Sequence, residues 1–418
     1  MVKVGVFADT HVGRSIPNAV AEHRRRAFRH AFSRAIDIFV EEGVEAVIHA
    51  GDLFERRSMS PSDSLFVKEE LQRLVNSLGG ARIIVVRGNH DGTIENSALN
   101  YVEHPLAKYL AILGEGTLLG KPEACLEGDV AVVGFGYTPY VSAKLNEVKE
   151  AVRRKFEDLK AESKVLLAHM FVEGQDVPPG VPEHQVARLS LIKDLGADLV
   201  VAGHCHKHQP LAEKSGLLLL TPGATESVDL SDDSQHGVCV LNLGRPIKCR
   251  FIPLKPLYAV KSAIIDGGEA ARRPEWFIEE AASAAIQFSE RLKAEGGQGM
   301  LRIALRGRLD GDRFDLEAEV ERRVKAVQAE NPLLLHVEVD NDLRGPAPPR
   351  LSVPEHMTRE EFLEEVFRAL SEERMAQALS LAEEVRMALE EKASPQTGLL
   401  RESDRKPFIE RWLKILGE

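Results

Sequence analysis

The sequence predicts an α/β fold built around a largely parallel sheet, and three observations carry that expectation. Largely apolar segments recur along the first half of the chain, as at Val2–Phe7, Ala46–Ala50 and the unbroken run Ile83–Val86; strands buried on both faces show such unbroken runs. Segments with helical spacing separate them, so the opening is strand-helix-strand-helix-strand. Each run also stops at a polar group such as Asp9-Thr10-His11, Gly51-Asp52 or Gly88-Asn89-His90-Asp91. In open α/β sheets ligands sit beyond the carboxyl ends of the strands.

Residues 2–8 form the first strand. Ala27, Phe28, Ala31, Phe32, Ala35, Ile36 and Phe39 recur at helical spacing and predict a helix over 18–42, closed by Gly43. The second strand, 46–50, ends at Gly51-Asp52. A helix over 62–78 stops at Gly79-Gly80 and leads into the third strand, with right-handed crossovers expected. Further strands fall at 129–135, at 165–168 ending in His169, and at 198–202 ending in Gly203-His204-Cys205-His206, with a basic helix over 141–161. Strands at 217–220 and 237–243 are expected to close the sheet as a hairpin-like pair. The first domain is placed at residues 1–255.

Residues 256–345 read as a small α+β domain, with strands at 258–265, 301–306 and 335–339 and helices over 274–295 and 313–331. Leu301–Arg306 alternates apolar and basic; Arg302, Arg306 and Arg308 could meet a polyanion, or serve as charges on an exposed edge. Gly345-Pro346-Ala347-Pro348-Pro349 reads as a semi-rigid linker. The remainder, 346–418, carries helices over 358–392 and 407–416. This helical hairpin has little to bury by itself and reads as a docking element for a partner, with folding back onto the main domain as the rival.

The chain has 418 residues and a net charge of −11, which argues against coating nucleic acid through bulk positive charge. Arg24-Arg25-Arg26 with Arg29, Arg56-Arg57, and Arg153-Arg154-Lys155 read as solvated faces unless they surround a site. No apolar run is long enough for a membrane helix and no signal peptide is evident. The cysteines, Cys125, Cys205, Cys239 and Cys249, form no CxxC pair. A cytoplasmic protein with reduced thiols is expected.

The strand ends supply Asp9, His11, Asp52, Asn89, His90, His169, His204 and His206. Carboxylate, imidazole and amide-oxygen donors suit Mn²⁺, Fe²⁺ or Zn²⁺, and the lack of thiolates disfavours structural zinc. Two divalent ions about 3.5–4 Å apart can share a carboxylate, clamp a phosphodiester and activate a water. Any one member has a plain alternative, a Gly-Asp turn or a hydrogen-bonded core histidine. Their placement at successive strand ends does not. His49 reads as structural and Cys205 as facing away; for His208, just after the metal pair, a place at the site rim is the lesser of the alternatives.

Asp9-Thr10-His11, Gly51-Asp52, Gly88-Asn89-His90-Asp91, His169 and Gly203-His204-Cys205-His206 resemble the five-part pattern of calcineurin-like metallophosphoesterases. The wider wording, Phe7-Ala8-Asp9-Thr10-His11-Val12-Gly13 and Val47-Ile48-His49-Ala50-Gly51-Asp52-Leu53-Phe54, is similar to the DNA double-strand-break repair nucleases of the SbcD and archaeal–eukaryotic meiotic-recombination family. The likeness is strong over about residues 1–245 and architectural beyond.

This resemblance implies a metallophosphoesterase β-sandwich flanked by helices, a DNA-contacting capping domain, and C-terminal helices that dock on a coiled-coil ABC-type ATPase. It implies two divalent ions, Mn²⁺ foremost. Asp9, His11, Asp52 and His206 would hold one; Asp52, Asn89, His169 and His204 would hold the other, with Asp52 bridging. His90 would be the general acid, oriented by Asp91. A homodimer is implied too, formed through helices near the first crossovers, with 3′→5′ exonuclease and single-strand endonuclease activity on DNA. Glu55 is a departure, since several relatives carry there a histidine thought to help position DNA. The rivals are a cyclic-nucleotide or other small-molecule phosphodiesterase, a protein phosphatase, and a scaffold bridging DNA and ATPase; the domains beyond the first disfavour a small substrate. Gly51-Asp52-Leu53-Phe54 lacks the Asp-Arg-Gly continuation of the protein phosphatases.

Overall fold

The computed structural model describes residues 2–344, except 94, 115–122, 128, 160, 215 and 233, together with Ser380. But for Ser380, the expected C-terminal hairpin lies outside the described residues, as does the Pro-rich linker. The chain divides into two units, Met1–Pro346 and Ala347–Glu418.

The first unit opens with β1 (Val2–Phe7), α1 (Ala21–Glu41), β2 (Ala46–His49), α2 (Pro61–Ser77) and β3 (Arg82–Val86). The apolar spacing in α1 places Phe28, Phe32, Ile36 and Phe39 on its buried face. Ser60 caps α2 by accepting the Asp63 amide at 3.1 Å, and Pro61 occupies a first-turn position where its missing N–H is not needed. Next come β4 (Leu110–Leu113), β5 (Glu123–Glu127), β6 (Val130–Phe135), α3 (Val141–Asp158), β7 (Ser163–His169) and β8 (Leu199–Gly203). Four further strands are β9 (Gln209–Lys214), β10 (Leu217–Thr221), β11 (Gly237–Leu243) and β12 (Lys248–Pro253).

These strands form two mixed sheets in the orders β12-β11-β1-β2-β3-β4 and β9-β10-β8-β7-β6-β5. In the first sheet the antiparallel pairs lie toward one edge and the parallel run reaches the other; in the second, parallel strands occupy the centre and antiparallel pairs both edges. Strands 217–221 and 237–243 are therefore not a hairpin pair, because they belong to different sheets. Each pairs antiparallel with a neighbour instead, β10 with β9 and β11 with β12. Those neighbours have polar, half-exposed residues, which hid them from a search for apolar runs.

The sheets face one another. Val4, Val6, Ile48 and Val86 of the first pack with Val132, Val165, Leu167 and Val201 of the second. The alternate residues point outward: Phe7, Val47 and Val85 meet α1 and α2, while Val133, Leu166 and Val200 meet α3. Four layers, helix-sheet-sheet-helix, explain why the central strands carry apolar residues on both faces.

Beyond β12 come β13 (Ala259–Asp266), α4 (Pro274–Glu295), β14 (Gly299–Arg308), α5 (Arg313–Glu330) and β15 (Leu334–Arg344). β14 is the central strand of a parallel three-stranded sheet, and α4 and α5 cover one face through Phe277, Ala281, Leu316 and Val320. The reading of Arg302 as an edge charge is overturned. It lies mid-sheet and pairs with the Asp340 carboxylate of β15. Met300 and Tyr258 pack with Val20, Ala27 and Leu230, tying this sheet to the start of α1. No described helix is long and apolar enough to cross a membrane.

Candidate metal centre

Every candidate ligand lies at or just beyond the carboxyl end of a strand: Asp9 and His11 after β1, Asp52 after β2, Asn89 and His90 after β3, His169 on β7, His204 and His206 after β8. Because the two sheets face each other, the loops from both meet at one rim. Asp9, His11, Asp52 and His204 are the non-glycine residues with positive φ among the described residues, at 49°, 40°, 55° and 88°. Such a conformation costs roughly 1–3 kcal/mol and persists only where surrounding contacts impose it. Here the amides of Asp9, His11 and Val12 donate to Gly51, Asp52 and Leu53 at 3.0, 3.1 and 3.0 Å, locking the first two loops together.

The side chains converge in overlapping groups: Asp9, His11 and His206; His11, Asp52 and His90; Asp52, His169 and His204, each with donor atoms within 4.8 Å of one another. His11 Nε2 lies 3.3 Å from His206 Nε2 and 3.8 Å from Asp52 Oδ2. His169 Nε2 lies 3.2 Å from the same Asp52 oxygen and 3.0 Å from Asn89 Oδ1. His206 Nε2 stands 4.0 Å from Asp9 Oδ1. Asp52 Oδ1 accepts the His90 amide at 2.8 Å, but among the described residues Oδ2 is buried without a hydrogen-bond donor. A buried, unsatisfied carboxylate oxygen flanked by two imidazoles is unfavourable unless a cation meets it. The nitrogen and oxygen donor set fits divalent ions, with Asp52 able to face two of them.

Electrostatics agree. Burial, helped by His169 and His11 respectively, pushes His204 and His206 down to about 3, which leaves the neutral imidazoles that ligate metals. Burial also raises Asp9 to about 6. Burial opposes the charge of Asp52, yet His169 and then His11 hold that carboxyl well below its usual range. His169 is itself lifted to about 9, since the Asp52 carboxylate outweighs the burial that would lower it. The pocket thus attracts positive charge around Asp52.

Residues 2–208 match the model of the calcineurin-like phosphoesterases. This part of the chain is a calcineurin-like phosphoesterase domain. Archaeal proteins named DNA double-strand break repair protein Mre11 are similar to the chain. The one from Methanosarcina mazei is 27% identical over 271 residues, 63% of this chain and 40% of that protein. The one from Sulfurisphaera tokodaii is 30% identical over 166 residues, 39% of each. The one from Aeropyrum pernix is 26% identical over 291 residues, 64% of this chain and 65% of that protein. The match thus spans about two-fifths of the first two of these relatives.

Several roles within the phosphoesterase domain differ from those expected. Asp91 does not orient the His90 ring; it accepts the amides of Gly88, Phe54 and Leu53 at 2.8, 3.0 and 3.3 Å and staples two ligand-bearing loops together. Glu55 is not at a substrate-facing position. It is buried beside His11 and forked to Arg14. Tyr137 and Phe171 flank His204, with ring centroids 5.4 and 4.2 Å away, and nothing in their local sequence marks them. His49 is structural, as read, bonding Thr10 at 3.0 Å and the Gly51 amide at 3.2 Å. His208 stacks on Phe251, and the Cys205 thiol donates to the carbonyl of Asp176 at 3.5 Å.

Gly88 permits the closest approach in the site: a Cβ there would lie 2.0 Å from Asp52 Oδ1, which the His90 amide holds in place. Gly88→Ala is expected to displace Asp52, weaken ion binding and destabilise the fold by about 1–3 kcal/mol. Denaturant melts with a manganese titration check this; an unchanged titration would refute it.

Proposed function

We propose that this chain is a metal-dependent DNA nuclease of double-strand-break repair, hydrolysing phosphodiesters with two divalent ions, manganese foremost. The observation that carries the reading is the convergence of Asp9, His11, Asp52, Asn89, His169, His204 and His206 in overlapping groups at one rim, with the unsatisfied oxygen of Asp52 between His11 and His169. Asp9, His11, Asp52 and His206 would hold one ion; Asp52, Asn89, His169 and His204 would hold the other. Bound there, the ions would supply the Lewis-acid chemistry that phosphodiester hydrolysis needs.

The chain's own residues do the rest. Asp52 holds the His90 loop through the His90 amide. His90 Nδ1 lies 2.9 Å from the carbonyl of Glu55, so one ring proton is committed there, and it is the imidazolium form, with its second proton on Nε2, that gives that proton to the leaving oxygen. DNA as substrate is supported by the names of the relatives. The sheet formed by β13, β14 and β15 acts as the DNA-contacting cap, with domains at 1–255, 256–345 and 346–418. Residues 346–418 dock on a coiled-coil ABC-type ATPase, and the nuclease works as a homodimer with 3′→5′ exonuclease and single-strand endonuclease activity in the cytoplasm. These finer points rest on the sequence resemblance.

Purified protein given linear duplex and single-stranded DNA is expected to cleave both with Mn²⁺ and neither after chelation. No cleavage, alongside fast hydrolysis of a cyclic nucleotide, would overturn the nuclease reading in favour of a small-molecule phosphodiesterase.

A further inference from the structure

Glu55 directly follows the Gly51–Phe54 turn, and its side chain reaches behind the metal centre. Its side chain is 8% exposed, and Oε2 lies 3.2 Å from His11 Nδ1. This is a close ion-pair contact more than a straight hydrogen bond, and among the described residues His11 Nδ1 has no other polar partner. Arg14 donates from one nitrogen to both Glu55 oxygens, at 2.8 and 3.0 Å, and its Nε donates to the carbonyl of Val228. The carboxylate is thereby fixed between the β1 loop and the 227–228 loop. The backbone carbonyl of the same residue lies 2.9 Å from His90 Nδ1. The two imidazoles stand perpendicular with centroids 4.7 Å apart. No atom of Glu55 belongs to the convergent ligand groups found among the described residues.

We infer that Glu55 is a positioning residue for the metal centre, holding the proton of His11 on Nδ1 through its carboxylate and that of His90 on Nδ1 through its carbonyl. A carboxylate facing Nδ1 requires a proton on that nitrogen, which leaves the Nε2 lone pair directed at His206 and Asp52. A ligating imidazole whose other nitrogen meets a carboxylate is held in one tautomer and orientation, and is a stronger donor. Removing the carboxylate frees the tautomer and lets a proton occupy the ligating nitrogen. Arg14 keeps the carboxylate ionised and in place. The inference rests on the dimetal reading proposed above.

The test compares the full chain with Glu55→Ala and Glu55→Gln by Mn²⁺ calorimetry without DNA, and by nitrogen-15 histidine spectra of the Zn²⁺-loaded proteins. The wild type is expected to take up two ions and show His11 protonated at Nδ1. Glu55→Ala should weaken one ion roughly 10- to 100-fold, spare the other and lose the His11 Nδ1–H signature. Glu55→Gln, which keeps an acceptor oxygen, should recover most of that loss. Should Glu55→Ala fail to fold, Glu55→Asp, too short to reach Nδ1, takes its place in the comparison with Gln. Unchanged affinities and tautomer in the Ala or Asp variant would overturn the inference, as would equal impairment of that variant and Gln. A wild type that fails to take up two ions would overturn the dimetal reading and this inference with it.

Discussion

Asp52→Asn is expected to remove the binding of both ions and to lower phosphodiester hydrolysis by at least about three orders of magnitude. The replacement keeps the shape of the side chain, and its amide oxygen can still accept the His90 amide that Asp52 Oδ1 accepts at 2.8 Å. An NH₂ group then replaces Oδ2, the oxygen 3.2 Å from His169 Nε2 and 3.8 Å from His11 Nε2. That group has no lone pair for a cation, and it points donors where an acceptor is needed. Shared charge stabilisation by two ions is worth several kcal/mol at the transition state, and each 1.36 kcal/mol is a factor of ten in rate. Mn²⁺ stoichiometry, cleavage of linear DNA and a thermal melt check this together. A folded Asp52→Asn chain that binds two ions and cleaves within tenfold of wild type would overturn the proposed bridging role of Asp52.

His90→Ala should leave the ions bound and reduce turnover on DNA by about 10²–10⁴, the usual worth of a positioned proton donor. The contrast with an activated ester is the sharper measurement. A p-nitrophenyl phosphodiester has a leaving group that needs no proton, so the same substitution should change its hydrolysis far less. His90 also stands within ligand reach of His11 and Asp52. Loss of an ion in His90→Ala, with equal damage to both substrates, would make it a ligand in place of a proton donor.

The ligand residue types and their positions at strand ends were legible in the sequence, because both are local properties. A run such as Ile83–Val86 declares burial on both faces, and the residue after it lies at the rim whatever the strand pairs with. Metal chemistry narrows the useful side chains further. Pairing partners were not legible. Backbone hydrogen bonds are the same for every residue, so nothing in Leu217–Thr221 or Gly237–Leu243 says that each joins a different sheet. Glu55 and Arg14 show the same limit, since nothing in their local sequence says that the folded loops bring His11 and Val228 alongside.

Taken by itself, then, the sequence determined which residues are candidates for the chemistry and which end of each strand they occupy. Only the tertiary structure decided that they meet. His11 and His206, 195 positions apart, come within 3.3 Å because the apolar inner faces of two sheets pack together and bring their rims side by side. That packing, driven by burial of apolar surface, sets the distances on which any metal chemistry here depends.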